Sequence, residues 1–211
     1  MDDFAERLAA PTPTPGGGAA AAHVGVYACS LLRMVTGITL EKARSAKSQP
    51  AADPASLVEL ERIQEQARLL SQQFEALEAQ DMAAFQGFLE ALRLPRSTEE
   101  EKARRLEARR EAAGRATDAP LATMRAACEV LTLARKLLDL SRSTPLKAES
   151  DLGAAVEIAS AAFRVAELNV GANLPELAEE RRQKAVEAWR ELQGRARTLY
   201  ESLRPAFAPA P

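Results

Sequence analysis

Residues 11–40 read PTPTPGGGAAAAHVGVYACSLLRMVTGITL, in which alternating prolines and three glycines precede a long apolar segment. Each proline ring fixes φ and restricts the residue before it, so the prolines predict an extended approach. Gly16, Gly17 and Gly18 free the backbone for conformations that other residues avoid. The small side chains that follow allow neighbouring helices to approach closely. The stretch therefore predicts a buried helix that begins at a glycine turn.

Two other interpretations of this stretch are less consistent with the residues. Gly18 to Leu40 carries one charge, Arg33, and approaches the roughly 20 apolar residues that span a bilayer. However, Arg33 would lie deep in the lipid, and Met1 to Leu8 is acidic where a secretory leader is basic. A phosphate-binding loop would need a Gly-Lys-Ser/Thr ending and a preceding strand, and neither is found in the sequence. A buried helix without a membrane partner is favoured.

Composition limits the class of protein further. The chain has 211 residues, 46% hydrophobic but only 4% aromatic, so alanine, leucine and valine must form most of a core that suits one domain or two small ones. With 28 basic and 30 acidic residues, the net charge of −2 gives no bulk argument for nucleic acid or anionic lipid as a partner. Cys29 and Cys128 lie in apolar helical surroundings, which predicts buried thiols and a cytoplasmic protein without a disulfide or metal site.

Apolar residues recur at three- and four-residue steps along most of the chain, and no alternating pattern predicts a strand. Asp53 and Pro54 are typical of a helix N-terminus, as are Ser97 or Thr98 followed by acidic residues. A short helix is expected at Asp2–Ala9, followed by one from the glycine turn to about Ser48 and one from Asp53 that continues through Met82–Leu92. Further helices are expected after Thr98, from Pro120, over Asp151–Gly171 and from Pro175. The clearest apolar stripe comprises Leu57, Leu60, Ile63, Ala67, Leu70, Phe74 and Leu77.

These patterns predict an all-α, up-and-down bundle of long helices, with residues 1–205 as one domain. Residues 206–211 are rich in proline and are expected to form a flexible tail. A two-stranded coiled coil would explain the stripe in residues 57–77, but it would not explain the glycine turn. A bundle is favoured because the other helices also need partners.

Several segments, in order, resemble the cyclodeaminase/cyclohydrolase family. They are PTPGGGAAAA (residues 13–22), DMAAF (81–85) followed by Leu94-Pro95, EEEKARR (99–105) before Pro120, Ser150-Asp151, and NVGANL (169–174). The similarity spans roughly residues 4 to 200. One departure is the loop before Ser150, which reads STPLKAE where the family is expected to have glycine and asparagine.

The resemblance implies an all-helical homodimer that binds a tetrahydrofolate derivative as substrate near the dimer interface, without a metal or other cofactor. The expected reaction is that of a methenyltetrahydrofolate cyclohydrolase, in which water adds to the bridge between N5 and N10. Two alternatives stay open: formiminotetrahydrofolate cyclodeaminase, and a non-catalytic folate-binding or scaffold protein that kept the fold. The altered loop motivates the last.

The resemblance also selects candidate site residues. Asp151 and Asp81 are the expected catalytic carboxylates, because both reactions need a carboxylate near a cationic carbon and a general acid or base. The expected substrate-binding residues are Thr14, Gly16, Gly17, Gly18, Ser150, Asn169 and Asn173. The working hypothesis is that the segments around Gly17, Asp81, Asp151 and Asn169 meet at one pocket, within one subunit or across two.

Each candidate also has a purely structural interpretation. Asp151 suits an N-cap or first-turn acid, and Asp81 suits a surface cap between two helical segments. Asn169 and Asn173 are four residues apart, which suits either a pterin edge or amides that end a helix. The single histidine, His23, is interpreted as a structural or interface residue.

Overall fold

The computed structural model describes residues 3–45 and 53–207. Within these ranges the chain forms six α-helices and two short 3₁₀ helices, and no strand. The α-helices are α1 (Phe4–Ala9), α2 (Gly17–Arg44), α3 (Pro54–Arg93), α4 (Glu99–Leu140), α5 (Glu149–Asn173) and α6 (Glu179–Leu203); the 3₁₀ helices are Leu174–Glu176 and Arg204–Ala206. The all-α prediction is confirmed.

Four long helices form a closed ring around the core. Helix α2 packs along α3 and α5, and α4 completes the ring by packing along α3 and α5, while α6 lies on the outside of α4. Neighbours in the ring run in opposite directions: Gly17 at the start of α2 lies beside Asn169 near the end of α5, and Thr39 near the end of α2 accepts a hydrogen bond from Lys147 N, just before α5. The predicted up-and-down bundle is therefore correct.

The core is built mainly from aliphatic side chains and alanine. In the predicted stripe of α3, Leu60, Ile63, Ala67, Phe74 and Leu77 are buried, and Leu57 and Leu70 pack against the core. Helix α2 meets this stripe closely at Gly25, where a Cβ atom would lie 2.5 Å from the Phe74 ring. Small residues in α2 thus determine how near α2 and α3 approach each other.

Two helix starts follow the sequence prediction. The Asp53 side chain accepts hydrogen bonds from the backbone N–H groups of Ala55 and Ser56. At the start of α4, Thr98 Oγ1 accepts a hydrogen bond from Glu101 N, and the Glu101 carboxylate accepts the Thr98 N–H in return. Such reciprocal caps satisfy backbone donors that have no partner inside the helix.

The prediction that a helix starts at Pro120 is wrong, because Pro120 lies inside the continuous helix α4. A proline has no N–H, so the carbonyl of Ala116, four residues earlier, loses its helical hydrogen bond. In the structure Asn173 Nδ2 donates to this carbonyl at 2.7 Å. A side chain from α5 thus satisfies the acceptor that Pro120 leaves open, and the helix continues.

Other predicted bounds also change. Helix α3 is continuous through Asp81, so Asp81 is not a cap between two segments. Helix α1 begins at Phe4, α2 ends at Arg44, and the expected extension to Ser48 lies outside the described residues. Helix α5 includes Asn173, whereas Pro175 belongs to the 3₁₀ turn that precedes α6.

Helix α2 is long and apolar enough, by length and composition, to span a membrane. In the structure its buried residues form the side of the ring that faces α3 and α5. Core helices of soluble proteins pass the same test. The position of α2 therefore agrees with the prediction of a buried core helix.

Both cysteines are buried and free. Burial raises the pKa of the Cys29 thiol to about 12 and that of the Cys128 thiol to about 11. The burial agrees with the sequence prediction, and the raised pKa values keep both thiols protonated at neutral pH.

The division at residue 205 stays a prediction. Phe207, in the predicted tail, packs against the core, where it lies next to Gly153 of α5. Packing therefore extends at least two residues beyond the predicted boundary.

Candidate active site

The glycine turn meets α3 at Asp81. Helix α2 begins after Gly16, and a Cβ atom on Gly18 would lie 2.5 Å from Asp81 Cγ, inside van der Waals contact. The Asp81 carboxylate accepts the backbone N–H of Ala19. Only a residue without a side chain leaves room at position 18 for this carboxylate. The glycines therefore form a tight entry turn and also one wall of a site.

Asp81 is half-buried, and this changes its acidity. Burial raises the pKa of its carboxyl above the ordinary value, and the hydrogen bond from Ala19 N–H partly offsets that rise. The first N–H groups of any α-helix have no partner within the helix, and Asp81 uses one of them. The carboxyl is thus held in a fixed position and binds a proton more readily than an exposed aspartate.

Asn169 forms the other wall of this site. Its side-chain nitrogen would lie 3.4 Å from a Cβ atom on Gly17, so the amide covers the exposed turn. Asn169 Nδ2 donates to the Val165 carbonyl at 2.8 Å, which fixes the orientation of the amide. The structure therefore brings together three of the four segments of the sequence hypothesis, those around Gly17, Asp81 and Asn169, at one end of the bundle.

The other predicted binding residues divide into two groups. Thr14 is half-buried on the approach to the turn, where its carbonyl accepts a hydrogen bond from Thr12 Oγ1. Gly16 is the N-cap of α2. Asn173 lies one helical turn beyond Asn169, and its amide nitrogen is used by the Ala116 carbonyl. All three are at the same end of the bundle as Asp81.

Ser150 and Asp151 are at the opposite end of the bundle. Both belong to the first turn of α5, and Asn169 is near its last turn. A rise of about 1.5 Å per residue separates Asp151 from Asn169 by about 27 Å along the helix axis. The hypothesis of one shared pocket is therefore wrong within a single chain. The motifs follow one another along the sequence in the expected order, but a straight helix keeps the two ends of α5 apart.

The loop before Ser150 is packed against the bundle. Thr144 and Leu146 are buried, and Ser143 Oγ is 3.1 Å from Ser56 Oγ of α3. Ala148, the N-cap of α5, has φ 58°, a left-handed conformation that is strained for an alanine. The loop STPLKAE, which was expected to depart from the family pattern, thus lies at the end of the bundle that carries Asp151.

A histidine cluster lies next to Asp81. His23 Nδ1 is 2.8 Å from Glu78 Oε2, and Nε2 is 3.0 Å from the Tyr27 hydroxyl. Phe4 of α1 stacks on the imidazole with ring centroids 4.0 Å apart. Glu78 is not among the residues predicted from the sequence, although its position three residues before Asp81 places both carboxylates on one side of α3.

Within the described residues no group of three or more His, Cys, Asp or Glu side chains could hold a metal ion. The site has instead a fixed carboxyl of raised pKa, backbone N–H groups at a helix start and an oriented amide. Such a set can bind a polar, planar molecule and move a proton at its edge.

The chain is similar to known proteins over most of its length. A family model described as formiminotransferase-cyclodeaminase matches residues 1–191. A methenyltetrahydrofolate cyclohydrolase from Methylorubrum extorquens is 35% identical over 194 residues, which cover 92% of this chain and 87% of that protein. The crystal structure of a formiminotetrahydrofolate cyclodeaminase from Thermotoga maritima superposes with a TM-score of 0.81 at 26% identity, and covers 98% of this chain and 94% of that one. The chain belongs to the formiminotransferase-cyclodeaminase family.

Proposed function

We propose that this protein is a folate-dependent one-carbon enzyme that acts as a methenyltetrahydrofolate cyclohydrolase. It adds water to 5,10-methenyltetrahydrofolate and gives 10-formyltetrahydrofolate. The observation that carries the proposal is Asp81, a half-buried carboxyl of raised pKa that is fixed against the glycine turn. The 35% identity to a methenyltetrahydrofolate cyclohydrolase favours this reaction over others of the family.

The substrate is already reactive, so the protein needs few catalytic groups. The methenyl bridge is an amidinium-like cation whose carbon is already electrophilic, so the site must position a water, accept its proton and hold the pterin. Orientation of this kind supplies several kcal/mol of the barrier in well-arranged sites. An ionised Asp81 next to the cationic bridge also stabilises the substrate electrostatically.

Asp81 acts as general base and then as general acid. A water oxygen bonds to the bridge carbon, and Asp81 takes one of its protons. The bond between this carbon and N5 then breaks, N5 receives that proton back from Asp81, and the remaining hydroxyl proton leaves as the formyl C=O forms. One proton is released overall, because a cation becomes a neutral formyl group.

The other residues at this end of the bundle bind the substrate. The oriented amide of Asn169 faces the donor and acceptor edge of the pterin, and the turn from Thr14 to Gly18 forms the opposite wall. Asn173 supports this end of the bundle through the Ala116 carbonyl. We assign it to substrate binding only through its position next to Asn169.

Ser150 and Asp151 take part only if a second subunit brings them to the site. We therefore propose a homodimer in which the start of α5 in one protomer lies beside the glycine turn of the other. The reaction as written needs no metal, redox cofactor or nucleic acid, and we propose that the folate is the only small molecule involved. Buried, protonated thiols suit a cytoplasmic location.

Formiminotetrahydrofolate cyclodeaminase is the second candidate, favoured by the Thermotoga maritima structure. There N10 would attack the formimino carbon, and ammonia would leave after protonation by the same carboxyl. A protein that binds folate without turnover is the third candidate, and it is motivated by the altered loop before Ser150.

Two assays separate these candidates. Loss of the methenyl absorbance should be faster with the enzyme than without it, and ammonia release from the formimino substrate should be slow. The opposite pattern would establish the cyclodeaminase. Turnover of neither substrate, with retained folate binding, would establish the non-catalytic protein.

A further inference from the structure

A groove on the far side of α5 contains charges that the proposed reaction does not use. It lies between α5 and α6 and encloses a cavity of about 520 Å³. Arg164 of α5 and Arg190 and Arg197 of α6 line it. Successive helix residues rotate by about 100°, so Glu167 in this groove lies on the opposite side of α5 from Asn169. The groove is therefore separate from the candidate active site.

The three arginines are exposed and lack the ion pairs that several other arginines of α6 form. Arg195 pairs with Glu129, Arg181 with Asp118 and Arg182 with Glu179. Among residues 3–45 and 53–207, no carboxylate lies within ion-pair distance of Arg164, Arg190 or Arg197. Three like charges around one cavity repel each other, and a bound anion would relieve that repulsion.

The carboxylates near the groove accept hydrogen bonds from neighbouring side chains. Glu167 accepts hydrogen bonds from Trp189 Nε1, at 2.8 Å, and from Gln193. Glu157 accepts the Tyr200 hydroxyl at 2.8 Å. These bonds hold α5 against α6 but come from neutral donors, so each carboxylate keeps its charge. Three guanidinium groups against the single carboxylate in the lining, Glu167, leave the groove with an excess of positive charge.

The floor of the groove is apolar. Leu131, Phe163 and Ala196 are buried beneath it. Gly194, between Arg190 and Arg197 on the same face of α6, leaves open space: no atom lies within 4 Å of where its Cβ would be. Pockets of about 300–1,000 Å³ hold ligands of nucleotide or drug size.

We propose that this groove binds a multiply charged anion attached to a flat apolar body, such as a nucleoside polyphosphate. The arginine forks bind the phosphate groups in pairs of hydrogen bonds. The apolar body lies over the floor beside Gly194. This site goes beyond the proposed folate chemistry and does not depend on it.

Trp189 provides the readout, because it is the single tryptophan of the chain and it contacts Glu167 of the groove. Magnesium-free ATP, added at constant ionic strength, should change the Trp189 fluorescence, and this change should saturate as the ATP concentration rises. Pyrophosphate should bind more weakly and adenosine more weakly still. A response that sodium chloride of equal ionic strength reproduces would overturn the proposal, since it would reflect general screening. Pyrophosphate binding as tight as that of ATP would overturn the role of the apolar floor.

Variants locate the site. The double variant R190Q/R197Q should weaken ATP binding by about tenfold or more for each arginine. The control R104Q/R110Q removes the same charge from exposed positions of α4 and should bind ATP normally. A Cβ atom at position 194 would have room, so Gly194→Leu should fold and its side chain should occupy the open groove and exclude ATP. Normal binding by Gly194→Leu, or equal losses in the two arginine variants, would contradict the proposal.

Discussion

At the residue scale, the main feature is the contact between Asp81 and the start of α2. The carboxyl has a raised folded-state pKa, so its contribution to stability is complete below its ordinary value of 3.8 and is lost as the pH rises through the folded value. At neutral pH the ionised form therefore carries an unfavourable burial cost. The same property makes Asp81 a better proton acceptor than an exposed aspartate.

Asp81→Asn should separate catalysis from stability. The asparagine carbonyl can still accept the Ala19 N–H, and the buried charge is gone, so the variant should be at least as stable as the wild type at neutral pH. This advantage should shrink at a pH below 3.8, where the Asp81 carboxyl is protonated. Cyclohydrolase activity should fall about 10²–10⁴-fold. Urea unfolding at both pH values and the methenyl assay measure these effects, and full activity in this variant would exclude Asp81 as the base.

Asn173 and Pro120 permit a second test. Asn173→Ala leaves the Ala116 carbonyl without a partner and should cost about 1–3 kcal/mol of unfolding free energy. In a Pro120→Ala background, the new N–H can bond the Ala116 carbonyl, so the same substitution should cost less. A double-mutant cycle by urea unfolding measures the coupling. Equal costs in both backgrounds would mean that the amide does not replace the missing helical bond.

At the scale of helices, close packing of α2 on α3 is set by small residues. Gly25→Ala would place a methyl group 2.5 Å from the Phe74 ring, which is fully buried and has no room to move. Overpacking of this kind costs about 1–3 kcal/mol. Gly87→Ala is the matched control: position 87 is open and lies within α3, so it should gain about 0.5–1 kcal/mol. Thermal unfolding compares the two, and equal shifts would contradict the packing argument.

The sequence predicted the helices better than their ends. The stripe in α3 and the caps at Asp53 and Thr98 were correct because periodicity and capping act over a few residues. Pro120 was misinterpreted because the hydrogen bond that permits it comes from Asn173, 53 residues further along the chain, and no local pattern contains that contact. The spatial grouping of the motifs was predicted in part for a similar reason. Gly17, Asp81 and Asn169 do lie together, but motif order carries no distances, so it could not show that Asp151 is at the other end of the same chain.

At the scale of the whole molecule, the bundle places its candidate site residues at two ends. If the proposed homodimer brings them together, each site uses Asp81 of one protomer and Asp151 of the other. A two-fold dimer then has two equivalent composite sites.

Mixing two inactive variants tests this arrangement. Asp81→Asn and Asp151→Asn should each be inactive as homodimers. Refolding them together at equal concentration forms mixed dimers with one intact site, which should restore about a quarter of wild-type activity in a two-fold assembly. The methenyl assay on the mixture measures the recovery. The absence of recovery, with mixed dimers verified by differential tagging, would show that the two carboxylates do not share a site across the interface.

The two buried thiols can report local opening of the helical bundle. Cys29 lies in α2 and Cys128 in α4, on different sides of the ring, and each thiol is protonated and covered at physiological pH. A maleimide reagent can reach either thiol only after the helices that cover it separate, and Cys128 Sγ lies against the Leu192 carbonyl of α6. The two alkylation rates, resolved by peptide mapping, would therefore report how often the packing over each thiol opens in the native protein.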